Sequence, residues 1–233
     1  MRIGTRVVFS EELDTWDAEF FQISVYCGMK DNLTQMKHCA RMCRERGIRY
    51  VIHPVNYYLL DREMMHALRI MAEWSDLALI LHDEKTYEGK RLFGHHHSRF
   101  QEALDELSAV ARVSFENARD THDVRWFWHR YAASVTLDLG HVELAGINSV
   151  HFVRSLHQEE INKIDYVHMH RNNGWRNGLT DHWPLRPDCR EVSALRELLK
   201  RRYDIGVILE INETEMTPES LSILRDLRDE AGI

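Results

Sequence analysis

The chain has 233 residues, 44% of them hydrophobic and 29% charged, enough to bury one full-sized core, and it is read as a single domain over 1–233. A formal net charge of −7 offers no global field for a polyanion, which puts nucleic acid at a disadvantage as a partner while leaving a local basic rim open. No apolar run approaches the ~18 residues of a membrane span, and the N-terminus lacks the apolar stretch of a signal peptide, so a cytoplasmic protein with no membrane partner is expected.

Apolar runs of strand length alternate with amphipathic stretches along the whole chain. The first strand is expected over Ile3–Phe9, followed by SEELDTWDAE, too short for a standard helix. The second covers Phe20–Tyr26; Asp31 and Asn32 then precede a helix whose Leu33, Met36, Cys39, Ala40 and Cys43 form one stripe and which Gly47 closes. A third strand over Tyr50–Val55 leads to a helix opened by Asp61, and a fourth over Leu77–His82 leads to the long polar connection HDEKTYEGKRLFGHHH, after which Ser98 opens the next helix. The fifth strand, Val113–Asn117, is followed by the aromatic helix DVRWFWHRY. There Trp126, Phe127, Trp128 and Tyr131 are read as core, with a homo-oligomer interface as the alternative. Strands over Val135–Leu139 and Asp165–His170 come next, then a second long polar connection, HRNNGWRNGLTDHWPLRP. Pro187 and Asp188 lead into the following helix, Gly206–Ile211 is the eighth strand, and Pro218 sits in the first turn of the last helix.

Eight such units predict a closed α/β barrel, a single (β/α)8 TIM barrel with its site at the C-terminal face, where long loops carry function. Four cysteines without a CxxC pair read as free thiols in a reducing compartment. Glu116, Asp138, His168 and Glu210 each finish a strand, in VSFE, VTLD, YVH and GVILE. Residues that finish successive barrel strands point into one mouth, so these four are expected to converge on a divalent cation. Three carboxylates would otherwise repel one another. Oxygen-rich ligation with one imidazole suits Mn²⁺, Mg²⁺, Co²⁺ or Zn²⁺.

The segments FEN (115–117), LDLGHVELAG (137–146), VHMHRNNG (167–174), DHWPL (181–185) and ILE (208–210) together resemble the xylose-isomerase-like barrel superfamily, which unites sugar isomerases, epimerases and related lyases with endonuclease IV. The resemblance implies a metal held by Glu116, Asp138, His168 and Glu210, with His168 chosen over His170 as the inward imidazole because it fits the motif. It also implies isomerisation or epimerisation of a small polyhydroxylated substrate, a sugar or sugar phosphate. Glu116 and Glu210 would be the catalytic acid/base pair flanking the substrate carbon, and the metal would polarise the carbonyl and stabilise the enediolate. A lyase or dehydratase would use the same chemistry, and a binding protein without activity is disfavoured by the complete ligand set.

His53 and His82, at the ends of the third and fourth strands, and His141, Asp181 and His182 resemble the extra ligands with which endonuclease IV binds three zinc ions and cleaves DNA at abasic sites. They are candidates for additional metal or substrate contacts. Two departures weigh against the nuclease: Arg171 stands where it has an aspartate, and Asp181 and His182 are adjacent rather than separated by one residue. Arg171, Arg176 and Arg186 are candidates for an anionic group on the substrate, and Trp175 and Trp183 for packing on a sugar face. The run His95–His97 is read as a solvated loop, and Lys85, Lys90 and Arg91 as a charged loop with an anion-binding alternative.

Overall fold

A computed structural model of the chain describes residues 1–86, 88–172 and 181–233. Eight parallel strands close on themselves in sequence order, β1 (Arg2–Val7), β2 (Phe20–Tyr26), β3 (Arg49–Val55), β4 (Leu79–His82), β5 (Val113–Glu116), β6 (Ser134–Asp138), β7 (Ile164–Met169) and β8 (Gly206–Leu209), with β8 pairing back to β1. The connections carry α1 (Asn32–Glu45), α2 (Arg62–Trp74), α3 (Gly94–Ser108) and α4 (Val124–Tyr131). The segment between β6 and β7 winds into three short helices, α5 (Leu139–Leu144), α6 (Ser149–Ser155) and α7 (Gln158–Ile161), before α8 (Arg190–Leu199) and α9 (Thr217–Glu230) complete the ring. The β1–β2 connection holds only a 3₁₀ turn, Ser10–Asp14, as its length predicts. No described helix is long and apolar enough to cross a membrane.

Alternation along the strands sorts side chains into two cores. Outward residues such as Ile23, Ile52, Leu79, Phe115, Val135, Val167 and Val207 pack with Met36, Leu68, Phe100, Phe127, Leu195 and Leu224 of the helices. Inward residues fill the barrel in layers. Phe20, Val51, Ala78, Ile80, Tyr166 and Ile208 form an apolar plug. Gly4 and Gly206 leave room for it, since a Cβ at either would press on the Phe20 or Tyr166 ring. In the same barrel the Ser114 and Thr136 hydroxyls bond at 2.8 Å and Gln22 is fully buried. The strand ends then present the ionisable side chains. The plug fills the barrel below these strand ends.

One local expectation changes. α3 begins at Gly94, four residues before Ser98, so His95–His97 lie in its first turns rather than in a loop; His95 and His96 rings lie 4.2 Å apart, and His97 Nδ1 sits 2.9 Å from the Tyr131 hydroxyl. On α4, Phe127, Trp128 and Tyr131 are buried in the chain's own core, and Trp126 packs under the Arg91 guanidinium. The core reading accounts for the three buried aromatic residues.

Candidate metal centre

Glu116 is the hub of the mouth. It ends β5 at 1% exposure, with Oε2 3.2 Å from His168 Nδ1 and 3.3 Å from His53 Nε2, and Oε1 3.3 Å from His141 Nδ1. His168 Nδ1 also faces Glu210 Oε2 at 3.3 Å and Asp138 Oδ2 at 3.8 Å. Of the four residues expected to share a cation, Glu116, Asp138 and His168 bring ligand atoms within 4.8 Å of one another, and Glu210 reaches the same His168 nitrogen; all four are buried. Glu116 and Glu210 line a cavity of about 290 Å³ with His53, His82, His141, Asp181 and His182, together with Arg6, Tyr26 and Asn212.

Hydrogen bonds around the imidazoles decide which nitrogen each offers. A carboxylate can only accept, so the Gln22 amide nitrogen donates to Glu210 Oε1 and Gln22 Oε1 must face His168. His168 Nε2–H donates to that oxygen at 2.8 Å, which leaves Nδ1 to point at three carboxylates. His53 is locked the same way: Nδ1–H donates to the Ile80 carbonyl at 3.0 Å, turning Nε2 toward Glu116. Lone pairs aimed at carboxylate oxygens are repulsive unless a proton or a cation lies between them. Consistently, Glu116 Oε2, His168 Nδ1 and His141 Nδ1 are buried atoms without a hydrogen-bond partner among the described residues. Carboxylate oxygens and imidazole nitrogens converging with such atoms fit a divalent ion, which Glu116, Asp138, His168 and Glu210 would hold once His168 gives up its proton.

His168 faces inward as expected, and His170, one residue past the end of β7, joins it. Both face inward, because positions two apart on a strand share a side; His170 is fully buried, with Nε2 3.2 Å from Asp138 Oδ1. Its Nδ1 accepts from the His182 backbone N–H at 3.0 Å, so Nε2 carries the proton and donates to Asp138. His170 therefore orients the aspartate rather than offering a lone pair. Gly140 makes this possible, because a Cβ there would overlap the His170 ring.

Backbone devices hold the rest. Asp138 caps α5, Oδ1 accepting from the His141 N–H at 2.6 Å. The Asn117 side chain mimics a peptide against β6, its Nδ2 donating to the Asp138 carbonyl at 2.9 Å and its Oδ1 accepting from the Asp138 N–H at 2.8 Å. Buried Asp83 accepts backbone N–H groups of Ala118, Arg119 and Asp120 and so fixes the loop that leaves Glu116.

From the protein's own charges, burial alone would raise the three carboxyls, but the imidazoles outweigh it. His168 holds Glu116 and Glu210 well below the usual range, and His141 and His170 lower Asp138. Burial opposes protonation of the imidazoles too, yet Glu210 and Glu116 lift His168 to about 9 and Asp138 and Glu116 lift His141 to about 10. His182 reaches about 9 against burial through Asp181 and Glu210. His82 differs: burial pushes it down to about 3 against the pull of Glu116, so it stays neutral.

Other expected contacts fall elsewhere. Arg171 forms an isolated bridge with Trp183, donates from Nε to the Pro184 carbonyl, and lines a separate groove of about 550 Å³ with Trp183 and Arg186. Lys85, Lys90 and Arg91 pair with Asp120, Glu88 and Asp123. Trp175 and Arg176 lie outside the described residues.

No protein-family model and no curated protein sequence matches the chain. Among solved structures it is similar to a D-tagatose 3-epimerase-like protein, with TM-score 0.75 and 16% identity over 100% of this chain and 98% of that one. A fusion of a xylose isomerase-like TIM barrel with 4-hydroxyphenylpyruvate dioxygenase matches with TM-score 0.65 and 15% identity, over 99% of this chain and 43% of that one. D-psicose 3-epimerase from Clostridium cellulolyticum H10 matches with TM-score 0.54 and 12% identity over 98% of each chain. At these identities the likeness establishes the fold alone, a (β/α)8 barrel shared with these proteins.

Proposed function

We propose that this chain is a divalent-metal-dependent isomerase or epimerase of a small polyhydroxylated substrate. One observation carries the reading: Glu116 and Glu210, from strands three apart in the ring, both face His168 Nδ1, at 3.2 and 3.3 Å, beside a cavity sized for a small molecule. When bound, a divalent ion supplies Lewis-acid polarisation of a substrate carbonyl. The two glutamates then share the proton work: one carboxylate removes the proton from the neighbouring carbon, and the other returns a proton to the same carbon or the next. Return to the opposite face of the same carbon inverts it. The likeness to a D-tagatose 3-epimerase-like protein and to D-psicose 3-epimerase supports this class.

A second reading has its own observation. His53, His82 and Glu116 form a further donor group that shares Glu116 with the first, and His141, His170 and His182 cluster beside it. Several ions bridged in this way would suit phosphodiester cleavage of the endonuclease IV kind. The donated proton of His170 counts against a third ion, and the net charge counts against DNA.

Two measurements separate the readings. Elemental analysis of protein purified without chelators is expected to give one ion per chain, whereas three would favour the nuclease. NMR of a ketose panel in D₂O is expected to show deuterium entering a carbon next to the carbonyl. Glu116→Gln and Glu210→Gln should slow this by about 10²–10⁴-fold. Absence of exchange with every ketose, from fully metal-loaded protein, would refute the isomerase reading.

A further inference from the structure

We propose that the cavity binds its substrate by an anionic group, a carboxylate or a phosphate, held by Arg6 with Tyr26 beside it; the inference rests on the cavity described above and deepens its substrate class. Arg6 stands opposite Gln22 in the β1–β2 register, so its side chain rises on the inward face of the barrel into the mouth. It is the single Lys or Arg among the described residues lining this cavity.

Among the described residues, every hydrogen-bond partner of the guanidinium is neutral. One terminal nitrogen donates to the Tyr26 hydroxyl at 3.3 Å, and the other to the Ile211 carbonyl at 2.8 Å and to Asn212 Oδ1 at 3.1 Å. A guanidinium has five N–H donors, so these three bonds fix its position and leave two donors and the whole charge for something else.

That something is not a neighbouring carboxylate. No described ion pair involves Arg6, although Glu210 lies on the adjoining strand. Glu210 Oε1 is held by Gln22, and its Oε2 faces His168 and His182. The Tyr26 hydroxyl accepts from Arg6, and burial pushes its pKa up, so its own hydrogen stays in place to donate. A fixed guanidinium with free N–H groups next to an O–H donor is suited to anionic oxygens. A neutral polyol would leave the charge uncompensated. The role expected of Arg171 and Arg186 thus passes to Arg6, since those two line the outer groove.

Calorimetric titration tests this on the full chain, both Mn²⁺-loaded and chelator-stripped, with inorganic phosphate, glycolate and glycerol as probes. Wild type is expected to bind phosphate or glycolate saturably in both forms, the tighter of the two identifying the anion. Arg6→Met should weaken that binding about tenfold or more, Arg6→Lys should restore part of it, and glycerol should respond equally to all three proteins. Absence of saturable anion binding by wild type, unchanged binding by Arg6→Met, or an equal loss for glycerol would overturn the proposal. The stripped form removes direct ligation of the probe by metal. Arg6-dependent anion binding by a protein that exchanges no ketose proton would refute the isomerase reading and leave this site standing.

Discussion

Gln22 was not a candidate from sequence, yet it touches two of the four residues proposed to hold the metal. In Gln22→Met, a swap of similar volume, His168 Nε2–H and Glu210 Oε1 both lose their partner in a fully buried position. An unsatisfied buried polar group costs roughly 1–3 kcal/mol. The two together would cost about 2–6 kcal/mol if neither found a substitute. Freed of its lock, His168 can turn or change tautomer, and loss of such an outer partner lowers metal affinity by roughly 10–100-fold. Competition of Mn²⁺ or Zn²⁺ against a chromophoric chelator reads this directly, with circular dichroism to confirm that the variant is folded. A folded Gln22→Met that binds metal within about twofold of wild type would show that the amide does not set the ligating nitrogen, and the tautomer argument would fall with it.

Two further outcomes follow from the titrating groups. His168, lifted to about 9, must lose its proton to ligate through Nδ1, so metal uptake at pH 7.5 should release protons and affinity should rise with pH up to about 9. Calorimetry in two buffers of different ionisation heat would detect this, and identical heats would refute it. Glu84 is raised to about 8 by burial, its Oε1 accepting the Leu59 N–H while Oε2 has no partner. A carboxyl raised in the folded state contributes stability that is full below its unfolded pKa and lost as pH climbs through the folded value. Thermal melts should therefore weaken from about pH 5 to pH 8, on the order of a few kcal/mol. Glu84→Gln should flatten that slope, and an unchanged pH profile would count against it.

The barrel was legible because its signal is repeated. Eight apolar runs with helices between them allow few other closures, and Glu116, Asp138, His168 and Glu210 were visible as the polar residues that finish four of those runs. Gln22 was hidden because it sits in mid-strand between apolar residues, where a polar side chain gives no periodic signal; its meaning depends on β7 and β8, more than a hundred residues away. Arg6 was hidden for a similar reason, as a cation near the chain start whose partners come from β2 and the end of β8. One miss was avoidable. His168 and His170 are two apart on one strand, so alternation alone places both inside.

Gly140 leaves a mark on how this sequence can drift. Its lack of a side chain is what lets an imidazole at 170 lie flat against the turn into α5, so any larger residue at 140 must be accompanied by a smaller one at 170. A small apolar residue there could no longer donate to Asp138 as the His170 imidazole does. The two positions are therefore tied in descent, and chains that depart from glycine at the first should have surrendered histidine at the second and found another way to aim the aspartate.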